Sequence, residues 1–139
     1  MKRLLNYLPT FVVACLILYL SVFHHPSESV QLFTGADKLV HLMMYLTLAF
    51  VMVWDMKRVY IDGDKTKLIA FVSCSLYGGL MELCQQYFTP FRTGDWLDWL
   101  ADCVGVVIGI LIAEQIWKRH KKETSFWPSR GSIAIAFAT

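Results

Sequence analysis

Residues 97–117 read LDWLADCVGVVIGILIAEQIW, a run interrupted by three acids, Asp98, Asp102 and Glu114, and by no basic residue. An α-helix rises about 1.5 Å per residue, so a stretch of this length matches the roughly 30 Å hydrocarbon core of a bilayer. Working outward from it, three more apolar stretches lie at residues 4–23, 39–54 and 68–88. The second is short, so its helix is expected to begin near Asp37 and to run past Asp55. Four strands cannot close a barrel, and an open sheet edge in lipid leaves backbone groups without partners. The expected fold is therefore all-α, an integral membrane bundle of four transmembrane helices.

Composition agrees, since 56% of the 139 residues are hydrophobic and only 17% are charged, with a mean hydropathy of +0.47. Such a chain is too apolar for an ordinary soluble domain. Its length allows a helical membrane domain over residues 1–117 and a basic tail over 118–139, but no separate extramembrane enzyme domain. Function is expected in or beside the bilayer, with membrane lipid as the surroundings and no nucleic acid as a partner.

Basic residues orient the bundle, because Lys and Arg are retained on the cytoplasmic side during insertion. With four spans, 11 of the 13 fall on one side and only Lys38 and Arg92 on the other, so both termini are expected in the cytoplasm. The first span lacks a small-x-small cleavage pattern where it ends at Ser21-Val22-Phe23-His24-His25, and is expected to stay uncleaved. The loop at 24–36, with Pro26 and Gly35, then lies outside, and the loop at 55–67, with the Asp62-Gly63 turn signal, inside. Trp96, Trp99, Tyr87 and Phe88 fall near the outer surface, and Trp54, Tyr60 and Trp117 near the inner one, as interfacial anchors do.

This topology concentrates acids outside: Glu28, Asp37, Glu82, Asp95, Asp98 and Asp102. Residues four apart on a helix lie one above the other. Asp37, His41 and Tyr45 form one such stripe; Asp98 and Asp102 form a second, continued on the same side by Gly105 and Gly109; Glu82 and Gln85 share a face of the third span. Glu82 and Asp102 each lie roughly 9 Å in from their helix ends and can meet. An ionised group within a span costs several kcal/mol, roughly, unless paired or wetted. Lys38, His41 and Arg92 are the cationic partners near them, and one polar pocket built from spans two, three and four is expected to open outward.

The spacing Asp37-Lys38-x-x-His41-x-x-x-Tyr45-x-x-Leu48 resembles the first signature of the VanZ-like family of small multi-pass membrane proteins. Its second signature is similar to Gly79-x-x-Glu82-Leu83-x-Gln85-x-x-x-x-Pro90-x-Arg92, continued by Asp95, Asp98, Gly105 and Gly109. The likeness covers a motif core at residues 37–109. It departs at Asp102, where the family pattern usually carries asparagine. The resemblance implies a bacterial inner-membrane protein whose namesake is associated with resistance to the lipoglycopeptide teicoplanin, and it supplies no catalytic mechanism.

Several functions fit these residues. An outward site would bind or modify a lipid-linked or cell-envelope molecule, or alter how a lipoglycopeptide engages it. Glu82 or Asp98 would then act as general base with His41 as acid or base partner, while Arg92 and Lys38 would hold an anionic headgroup. The bland alternative is a cluster that only locks helices together, with Gly79, Gly105 and Gly109 permitting close packing. A proton-coupled carrier is the third, against which stands an inner half where Glu114 looks almost alone. His41, Glu82, Asp98 and Asp102 offer metal donors, but no HExxH or paired-histidine spacing is present, so neither metal nor cofactor is expected. Cys15, Cys74, Cys84 and Cys103 lie in spans without CxxC spacing and read as small fillers.

Overall fold

The computed structural model describes residues 5–22, 35–59, 63–88 and 95–126, and these form four helices with no strand among them. Helix α1 spans Leu8–Val22, α2 Ala36–Arg58, α3 Asp64–Phe88 and α4 Trp96–Phe126. Three of them, α2, α3 and α4, are long and apolar enough to cross a membrane. Helix α1 is more apolar than these and shorter, its 15 residues reaching about 22 Å; residues 4 and 23, at the ends of the expected span, lie outside the described residues. Helix α2 begins at Ala36 and ends at Arg58, wider than its apolar run as expected. Helix α4 does not stop at Trp117 but continues unbroken through the start of the basic tail to Phe126. Its 31 residues extend about 46 Å, so its last turns project beyond a bilayer core.

Local chemistry sets the helix starts. Gly35 precedes α2 with φ of 97°, a left-handed conformation that a residue with a Cβ adopts only with strain, and Gly63 precedes α3 with φ of 88°. Helix α4 opens on a side-chain cap, since Asp95 Oδ1 accepts the Leu97 backbone N–H at 2.9 Å.

The helices run alternately up and down. Contacts join α1 to α2 and α3, α2 to α3 and α4, and α3 to α4, with the α2–α4 seam the most extensive. Glycine makes that seam close: a Cβ on Gly105 would collide with the Leu42 carbonyl oxygen, and one on Gly109 with that of Leu46. Among the described residues, Thr10 near the start of α1 meets Asp55 near the end of α2, and Ser21 at the end of α1 meets Gln85 near the end of α3. The bundle therefore has a His41 end, where α2 and α4 begin and α3 finishes, and a Lys57 end opposite.

Burial is inverted relative to a water-soluble protein. Leu8, Phe11, Leu16, Leu76, Leu80 and Leu111 are exposed, each more than half accessible, whereas His41, Asp55, Thr66, Gln85 and Asp102 are enclosed. An apolar surface this extensive is stable only against lipid. Between the polar ends lies an apolar layer that includes Ala49, Val53, Val106 and Ile110.

Candidate functional site

At the His41 end, helical register brings three chain-distant side chains together. His41 projects from the second turn of α2, Asp102 from the second turn of α4, and Glu82 from the last turns of α3. His41 Nδ1 lies 3.1 Å from Asp102 Oδ1 and 3.7 Å from Glu82 Oε1. All three are buried, at 1% exposure for His41, 0% for Asp102 and 8% for Glu82. Gly78 makes room for the carboxylate of Asp102, because a Cβ there would stand 2.9 Å from Oδ2.

Above this core sits a more exposed layer. Lys38 Nζ donates to Asp98 Oδ1 at 2.7 Å and to Asp95 Oδ2 at 2.9 Å. The Asp95 backbone N–H donates in turn to Glu82 Oε2 at 3.0 Å, so the α4 cap and the α3 carboxylate hold one another. Asp95 lies before the spanning helix, and the Leu97 N–H, followed by Lys38, holds its carboxyl below the usual carboxylate range. Asp37 is exposed, yet a carboxylate oxygen of Asp37, one of Asp98 and a His41 ring nitrogen all lie within 4.8 Å of one another. The groups thus grade from accessible Asp37, Lys38 and Asp95, through Asp98 at 7% exposure, to fully enclosed Asp102.

Tyr45, one turn beyond His41 on the same face, is fully buried, and its ring edge lies 3.4 Å from the Cβ position of Gly78. Gln85 is buried and its Nε2 donates to the Ser21 carbonyl at 3.4 Å, which brings α1 to the site's margin. Gly79 faces Trp99 at ordinary contact distance. Arg92, expected in the pocket, lies outside the described residues, as do Glu28, His24, His25 and Tyr60. Among the described residues, Glu82 Oε1, Asp102 Oδ2, Tyr45 Oη and Ser75 Oγ are buried without a hydrogen-bond partner. Several such atoms at one end of a small bundle are unusual, because each carries a desolvation cost of about 1–3 kcal/mol.

Sequence reasoning missed Gly78, Ser21, Ser75 and Trp99. Register could have found Gly78, which is four residues before Glu82 and so lies directly beneath it. The contact of Trp99 Nε1–H with the Ser75 carbonyl, 2.9 Å long, turns an expected interfacial anchor into a tie between α3 and α4.

The Lys57 end corrects an expectation. Glu114 is not alone there, because Lys57 Nζ pairs with its Oε1 at 2.8 Å, with side-chain exposures of 3% and 11%. Nearby on α2, Asp55 Oδ2 accepts both the Thr10 hydroxyl at 2.7 Å and the Thr10 N–H at 3.1 Å. Twelve residues of α4 separate Asp102 from Glu114, about 18 Å, and that interval passes the apolar layer.

Fold and site together define a multi-pass helical membrane protein with an apolar outside and a polar cluster buried at one end. The family follows from comparison: a model described as VanZ/LLP1 matches residues 3–118, and the chain belongs to that family. No curated protein and no solved structure matches the chain.

Proposed function

We propose that this VanZ/LLP1 protein is a bacterial inner-membrane protein that handles a cell-envelope molecule through the His41 end, which faces outward. The observation that carries the reading is the graded polar cluster, in which accessible Lys38 and Asp95 lead to enclosed groups with unused hydrogen-bonding capacity at Glu82, Asp102 and Tyr45. A lipid-linked headgroup arriving along the outer leaflet would meet those groups without leaving the membrane. Such a site would lower the susceptibility of the cell to teicoplanin-type lipoglycopeptides by changing how their envelope target is presented.

Orientation in this reading rests on charge. Lys57, Arg58, Lys65, Lys67, Lys118 and Arg119 lie at the Lys57 end, which is assigned to the cytoplasm together with both termini. Lys38 is already shared by two carboxylates, so an anionic headgroup would bind it only by displacing Asp95, the more exposed of the pair. His41 with Glu82 is the natural acid–base pair should the headgroup react.

A second reading has its own observation. The contacts of His41 with Asp102 and of Asp95 with Glu82 tie α2, α3 and α4 together, which is what a purely structural lock would do. Deletion and complementation separates the two. Glu82→Gln at matched membrane abundance and unchanged thermal stability should fail to restore lipoglycopeptide tolerance, whereas full restoration by such a folded variant contradicts a working site. A proton-coupled carrier is disfavoured by the apolar layer between the two polar ends.

A further inference from the structure

We propose that His41, Glu82 and Asp102 form a binding site for one divalent first-row transition cation, with Zn2+ the best fit. The inference deepens the reading of this cluster as the working site and revises the expectation that no metal is involved. One ligand atom from each residue lies within 4.8 Å of the other two, and all three residues are buried. Ligand bonds of about 2.0–2.1 Å in a tetrahedral site place neighbouring donor atoms roughly 3.3 Å apart. The separations of His41 Nδ1 from Asp102 Oδ1 and Glu82 Oε1, 3.1 and 3.7 Å, bracket that value.

A second observation points to a ligand independently. Glu82 Oε1 and Asp102 Oδ2 are enclosed without a hydrogen-bond partner among the described residues, on side chains 10% and 0% exposed. With both carboxylates ionised, His41 supplies at most one positive charge, and Lys38 is engaged by Asp95 and Asp98. A dication bound to a neutral imidazole and two carboxylates makes the cluster neutral in a setting where unbalanced charge is costly.

One nitrogen and two oxygens make a borderline donor set that suits Zn2+ or Mn2+ better than thiophilic ions. Three protein ligands leave a fourth position open for water or an envelope headgroup oxygen. The remaining Glu82 oxygen is held by the Asp95 N–H, an outer contact of the kind that orients metal ligands. Asp37 and Asp98, gathered near the same imidazole, provide an acidic approach from the exposed layer.

The test uses the full-length chain in detergent micelles, stripped with a chelator and then dialysed against Zn2+ or Co2+. Elemental analysis should give one Zn2+ per chain, and Co2+ should show a visible ligand-field spectrum that Zn2+ abolishes. Loss of a direct ligand should cost at least the tenfold or so that loss of an outer contact costs, so Asp102→Asn and His41→Gln should each weaken binding about tenfold or more. Asp64→Asn, at the opposite end, should leave it unchanged. If Asp102→Asn does not accumulate, Glu82→Gln gives the same reading, since Gln can still accept the Asp95 N–H. Substoichiometric binding by the wild type, or binding that Glu82→Gln and His41→Gln leave intact, overturns the proposal. Complementation tells the two claims apart: stoichiometric binding with tolerance unaffected by Glu82→Gln supports the metal and removes the envelope function, while no binding with tolerance lost in Glu82→Gln does the reverse.

Discussion

Asp95 shows how much one residue can coordinate. Its Oδ1 caps α4 through the Leu97 N–H, its Oδ2 meets Lys38, and its own N–H is held by Glu82. The folded protein holds this carboxyl below its ordinary range, so the ionised form contributes stability above the unfolded value. That contribution is lost as pH falls through the depressed folded value. Asp95→Asn should therefore flatten the acid limb of a plot of melting temperature against pH, with little change in slope near neutrality; an unaltered acid limb would show that these contacts do not form. Lys38 adds a second test at this scale. Asp98 is the more buried of its partners, so a double-mutant cycle of Lys38→Met with Asp98→Asn should give a larger coupling than the cycle with Asp95→Asn.

Among the helices, α2 and α4 are held closest, and glycine permits it. Gly105→Ala drives a methyl group into the Leu42 carbonyl, so α2 and α4 must move apart until that oxygen is clear of it. Overpacking of this kind costs about 1–3 kcal/mol, and a denaturant titration of the folded bundle should show a loss in that range. At the far end, Glu114→Ala removes the carboxylate that pairs with the buried Lys57 ammonium, and the same titration should show a loss of stability of at least about 1 kcal/mol. Glu123→Ala, on an exposed turn of the same helix, should be close to neutral in that titration. The helices themselves were largely legible in the sequence, because apolar runs bounded by charged or turn residues mark where backbone can sit in lipid. The start of α2 near Asp37 followed from the shortness of its apolar run, which had to be extended to cross a bilayer. The Lys57–Glu114 pair was not legible: spacing rules report which residues share one helix, whereas this pair joins two, and Lys57 reads as an ordinary cytoplasmic flanking base.

The whole molecule is a bundle whose outside is greasier than its centre. In lipid no hydrophobic gain drives helices together, so close packing at glycine and buried polar ties carry the association. That economy explains why the candidate site could be read in outline from sequence. Polar residues are scarce in such a chain, and three antiparallel helices of known register leave few ways to arrange them. What sequence could not supply was the hydrogen-bond state of each carboxylate oxygen, which depends on side-chain angles and decides whether the cluster is a closed lock or an open set of ligands. Register marks Gly78 as lying beneath Glu82, but that Asp102 is the side chain admitted there is a contact between helices that spacing along one helix does not report.

Handling of an envelope molecule at the polar cluster requires the His41 end to face away from the cytoplasm. Single cysteines at Asp95 and Lys67, each placed in a chain otherwise free of cysteine, can be probed with a membrane-impermeant maleimide on intact spheroplasts. Asp95→Cys should label at once and Lys67→Cys only after the membrane is opened. Labelling of both from the same side, or the opposite order, would rule out an outward-facing His41 end.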